Sequence, residues 1–166
     1  GVQTCALPIL ATVIEVKYFW KLRAKPPLWL THSALINLQV YRIALCKFRC
    51  SNHQLLIEQG RKAGIPRSDR LCPFCIVPLV ESEYHFCLEC AFYDDLRKQY
   101  IPYFYYNNPS TEKFVQLMST TNAYIVNNLA RYIFFGFKKR SRFLQLWTIM
   151  AHSLLHCIMY ITCTSV

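Results

Sequence analysis

Cys72-Pro73-Phe74-Cys75 is followed after nine residues by His85 and after four more by Cys90, and no other feature of the chain constrains its fold as strongly. Two thiolates in a C-x2-C turn reach one point, and a tetrahedral Zn²⁺ site needs two further Cys or His ligands from a segment that folds back. Residues 76–84, which include Pro78, are long enough for that return. Cys87 and Cys90 form a second C-x2-C, so two ligand sets are legible: Cys72, Cys75, His85, Cys90, or Cys72, Cys75, Cys87, Cys90. On an ideal α-helix His85 and Cys90 lie about 140° apart in azimuth, so they converge only if the segment is extended or breaks. Spacing slightly favours Cys87, and the choice stays open on the residues alone.

The chain has 166 residues, 54% of them hydrophobic, which is enough for about one modest core. Nine cysteines is an odd number. Without a recognisable secretory signal ahead of them, a reducing compartment with metal binding is a simpler reading than a disulfide framework. The expected location is intracellular, in nucleus or cytoplasm.

The formal charge of +10 points to an anionic partner, but it is unevenly placed. Residues 41–70 carry seven basic and two acidic side chains, whereas 71–100 carry two basic and five acidic. The basic stretch with Arg49, Arg61, Lys62, Arg67 and Arg70 is therefore the better candidate for phosphate contacts, and Lys138, Lys139, Arg140 and Arg142 could extend the footprint. The alternative for both runs is a solvated face that keeps an apolar chain soluble.

Residues 1–9, which include Ala6-Leu7-Pro8-Ile9, read as a translated library adapter and are set aside. Residues 10–37 carry apolar clusters and a Pro26-Pro27 break, with no readable role. Helices are expected over Ser33 to Phe48, over Gln54 to Gln59 with Gly60 as the stop, and over Phe92 to Tyr100 up to Pro102. In that third helix Leu96 and Tyr100 share a face and Arg97 and Lys98 turn away. The aromatic run Tyr103-Phe104-Tyr105-Tyr106 suits core packing more than base stacking. Thr111 to Met118 and Asn122 to Phe137 read as two more helices. The architecture is thus mostly α: a small helical module over 38–140 with a C-x2-C loop and flanking helices, and an apolar tail over 141–166.

Phe143 to Cys163 has no charged residue, yet its polar side chains argue against a membrane span. His152, His156 and Cys157 have helical metal spacing without a carboxylate partner. Cys46, Cys50 and His53 lack a fourth ligand, so one zinc is expected. Phe92-Tyr93-Asp94-Asp95 has the pattern of a polymerase carboxylate pair, but a third carboxylate is missing and the acids suit a helix start instead.

Tyr41-Arg42, Arg49, His53, Leu56 to Arg61, Ile65-Pro66-Arg67, Arg70 to Cys75, Glu81 to Phe86, Cys90 and Tyr93 together form a pattern. From about Leu38 to Lys139 it resembles the zinc-binding region downstream of the polymerase domain in reverse transcriptases of LINE-type (non-LTR) retrotransposons. The resemblance implies Cys72, Cys75, His85 and Cys90 as ligands of one structural Zn²⁺, because the position of Cys87 is usually apolar there. Ala91 departs from the proline common after the last cysteine. The resemblance further implies a non-catalytic module that binds element RNA or target DNA beside the parent polymerase domains. The rival reading is a protein-interaction zinc module, in which the acidic loop and exposed aromatics dock a partner.

Overall fold

A computed structural model describes the backbone of residues 39–163 and the side chains of 39–150. The expectations for 1–9, 10–37 and the His152, His156, Cys157 group fall outside those limits. Among the described residues the chain is mostly helical, with one isolated antiparallel bridge, Leu71 to Val80. Two compact units divide it, the first reaching Phe134 and the second Phe135–Val166.

Helix α1, Gln39–Arg49, buries Leu45 and Phe48. It closes on a Schellman motif: Ser51 N–H bonds Phe48 O, Asn52 N–H bonds Lys47 O, and Ser51 takes the left-handed conformation at φ 54°. Helix α2, Leu56–Lys62, has no side-chain cap from its own N-cap, Leu55. The cap comes from a distant segment: Glu81 Oε2 accepts from Leu56 N–H at 2.7 Å, and Glu81 O accepts from Ile57 N–H at 3.2 Å. This ties α2 to the 72–90 loop.

Gly60 does not stop α2, contrary to the sequence expectation. The helix runs through it and ends in a second Schellman motif at Gly64, φ 70°, where Ile65 N–H returns to Gly60 O at 2.8 Å. Gly60 serves a different need, because a Cβ there would sit 2.7 Å from Arg70 Cγ. Arg70 lies over that bare backbone and donates to Ile65 O at 2.9 and 2.7 Å and to Ile57 O at 2.9 Å.

After the loop come α3 (Asp94–Tyr100), α4 (Tyr103–Tyr106), α5 (Thr111–Ser119) and α6 (Ala123–Cys163). Ser110 Oγ caps α5 by accepting from Lys113 N–H. Asn122 Oδ1 caps α6, accepting from Tyr124 and Ile125 N–H groups. The aromatic run of α4 divides between core and solvent: Tyr105 is buried, whereas Tyr103 and Phe104 are exposed.

The core of the first unit centres on Phe86, whose ring meets Phe48 at 5.7 Å, Tyr93 at 4.6 Å and Tyr132 at 5.4 Å. Tyr132 Oη also donates to Phe86 O at 2.5 Å. Leu55, Leu117, Val126, Leu129 and Ile133 fill the space around these rings. In the second unit Leu146, Trp147, Ile149 and Met150 are each exposed, and no helix among the described residues is long and apolar enough to cross a membrane.

Candidate metal centre

Cys72, Cys75, His85 and Cys90 converge so that one donor atom from each lies within 4.8 Å of all the others, a group that could hold a metal ion. Cys72 Sγ is 3.9 Å from Cys90 Sγ, Cys75 Sγ is 3.6 Å from Cys90 Sγ, and Cys75 Sγ is 3.3 Å from His85 Nε2. The first two cysteines sit in a short hairpin fastened by Cys72 N–H to Leu79 O at 2.7 Å and by the Leu71 to Val80 bridge. Glu81 N–H then bonds Arg70 O at 2.8 Å, which aims the chain back toward α2.

His85 and Cys90 meet because His85–Glu89 forms one turn of π-helix. Cys90 N–H bonds His85 O at 2.8 Å, five residues back, so the wider turn removes most of the angular separation that an α-helix would impose. Ser82 Oγ starts this turn by accepting from His85 N–H. Cys87, the alternative ligand, is not among the converging donors; it is fully buried, and burial pushes its thiol well above the usual range. The geometry therefore assembles the His85 set and leaves Cys87 as an apolar core residue.

His85 Nδ1 faces Glu89 Oε2 at 3.3 Å. A proton held on Nδ1 toward that carboxylate leaves Nε2, the nitrogen beside Cys75 Sγ, as the lone-pair donor. Arg97 supports the exit of the loop. The sequence expectation turned it to solvent, yet it is buried, donating from Nε to Cys87 O at 2.9 Å and from Nη2 to Cys90 O at 2.5 Å, with Asp94 Oδ1 at 3.3 Å from Nη1. Sequence reading missed Glu89, named Glu81 only within the pattern and without its capping role, and placed Arg97 at the surface. An acid four residues after a ligand histidine was the available signal for Glu89; a buried arginine or carboxylate leaves none.

Cys72, Cys75 and His85 each hold a proton more tightly than usual. Hydrogen bonding with Cys90, followed by burial, pushes the Cys72 thiol up to about 12, and burial raises Cys75. Burial pulls His85 down, but hydrogen bonds with Cys72 and Glu89 outweigh it and leave it above its ordinary value. A cation held between the donors inverts this preference, favouring thiolate sulfurs and a neutral imidazole.

The basic residues scatter. Arg61, Lys62 and Arg67 are exposed on or just after α2, and Arg70 is partly buried on its carbonyl partners. Arg49 is turned inward, and burial lowers its guanidinium to about 9 despite the nearby Cys46 and Cys50. In the second unit Lys138 and Arg142 are exposed one helical turn apart and Lys139 is half-buried, whereas Arg140 is buried. Arg49 and Arg140 thus present no open surface to a phosphate.

Comparison with family models, curated proteins and solved structures returned no match to this chain.

Proposed function

We propose that this chain is a non-catalytic, zinc-stabilised nucleic-acid-binding module, similar to the zinc-binding region of LINE-type retrotransposon reverse transcriptases. The observation that carries the reading is the convergence of three sulfurs and one imidazole nitrogen. Around Zn²⁺ bonded at about 2.3 Å to sulfur and about 2.05 Å to nitrogen, tetrahedral ligands stand about 3.8 Å apart for two sulfurs and about 3.6 Å for sulfur and nitrogen. Three of the six separations, 3.9, 3.6 and 3.3 Å, lie close to those values, and all six are within 4.8 Å. Cys72, Cys75, His85 and Cys90 would hold the ion, and it would supply folding energy. Four protein donors complete a tetrahedron and leave no position for an activated water.

The partner reading rests on the charge of +10 and on the exposed cations Arg61, Lys62 and Arg67. Binding to single-stranded RNA and duplex DNA, measured by filter retention at two salt concentrations together with metal content, tests it. Stoichiometric zinc and binding that weakens steeply with salt are expected. Protein without zinc, or with salt-insensitive binding, removes the reading. One observation favours a protein partner instead: Ile76, Val77 and Leu79 project from the loop tip, Ile76 completely exposed.

A further inference from the structure

An open cleft of about 480 Å³ lies where α2, residues 67–70, residues 82–84 and the start of α5 meet. Arg61, Arg67 and Arg70 line it together with Tyr84, Thr111 and Phe114. We infer that this cleft takes one unstacked nucleotide of a single strand, its phosphate against the arginines and its base against Tyr84. The inference rests on the nucleic-acid-binding reading above and gives it a location.

The arginines differ in freedom, and the difference suits phosphate capture. Arg70 is pinned by three hydrogen bonds to neutral carbonyls, which fix its position and leave its charge intact. Arg61 shares its charge with Glu58, yet its side chain remains 59% exposed. Arg67 is exposed and has no side-chain hydrogen bond or ion pair among the described residues. A fixed cation beside an exposed, uncommitted one provides both position and adaptability.

Two carboxylates also line the cleft, and each already faces a partner: Glu58 with Arg61 at 2.8 Å and Glu83 with His53 at 3.2 Å. Three guanidinium groups line the phosphate side against these two acids, while Glu89 and Glu112 stand near Tyr84 at the other wall, so the positive charge is confined to the arginine side. The far wall is aromatic. Tyr84 is half-buried and meets the buried Phe114 edge-on at 5.9 Å and 81°, which holds the phenol ring in place for stacking. A bare phosphate would use only part of this volume, and a duplex keeps its bases stacked away from such a recess. The size falls in the range of small-molecule sites, roughly 300–1,000 Å³.

The test uses the full, metal-loaded chain and fluorescence polarisation with a labelled oligo-uridine, an oligo-thymidine and an abasic strand of equal length. The abasic strand should bind about tenfold more weakly, the value of about one stacked base. Arg67→Ala, at an exposed side chain, should lower affinity about three- to tenfold and reduce the salt slope by about one. Thr111→Glu, which suits a helix start but places a carboxylate in the cleft, should weaken binding similarly while circular dichroism and metal content stay unchanged. If the parent binds both strands while the two variants match it, or the abasic strand binds equally, the cleft assignment fails and the wider function stands. Absence of all strand binding overturns both. Preference for a phosphotyrosine peptide over either oligonucleotide would also overturn the nucleotide assignment.

Discussion

Two groups of cysteine and histidine, Cys46, Cys50, His53 and Cys72, Cys75, His85, Cys90, stand within one compact unit, and only the second converges. In the first, α1 ends in a Schellman turn between Cys50 and His53, and His53 leaves to face Glu83 at 3.2 Å. In the second, a hairpin and a π turn each bend the backbone toward the same point. The comparison teaches that ligand spacing becomes a site only where the intervening backbone turns toward the donors rather than away.

The strongest way to break this contrast is to remove a donor from each group. His85→Ala should abolish metal retention and the cooperative thermal transition, since a structural Zn²⁺ contributes on the order of 10–16 kcal/mol in finger peptides and a whole domain has a net stability of only about 5–15. An unchanged metal content in that variant would end the assignment. Next in size is Arg97→Met, which leaves the Cys87 and Cys90 carbonyls without their donor. It should cost about 2–4 kcal/mol in denaturant titration of the metal-loaded protein while the stoichiometry holds.

Cys87→Ser sharpens the distinction between the overlapping ligand sets. It should keep the metal and lose about 1–3 kcal/mol, because a hydroxyl enters a fully buried apolar position. Loss of the ion would instead favour the four-cysteine set. The smallest effect belongs to the first group: Cys46→Ser with Cys50→Ser should leave metal content unchanged. The same pair should show unequal alkylation. A hydrogen bond from Cys50 lowers the Cys46 thiol, burial opposes this and Arg49 assists, while the shared proton raises Cys50. Cys46 should therefore react first, and its rate should level off at a lower pH than that of an ordinary cysteine.

The mostly helical character and three of the donors were legible because Cys72, Cys75 and Cys90 belong to either ligand set. The fourth was ambiguous because the azimuth argument assumed α geometry, and residues 85–89 carry no sequence mark of a π turn. The resemblance pointed to His85, the donor that the geometry brings in. Gly60 was misread as a stop because close approach by Arg70 and helix termination ask for the same residue. Charge was the least reliable guide. A sequence shows that Arg49, Arg97 and Arg140 are cationic, but not that the fold buries Arg97 and Arg140 and the guanidinium nitrogens of Arg49.

The π turn has one more consequence. Its residues His85, Phe86, Cys87 and Leu88 are all buried, so a single loop of backbone carries a donor toward the sulfurs and Phe86 into the ring cluster of Phe48, Tyr93 and Tyr132. Neither can be withdrawn alone. With zinc as its ion, the folded fraction of this chain would follow the free-ion concentration as a titration curve, and a chelator would act on it as a denaturant.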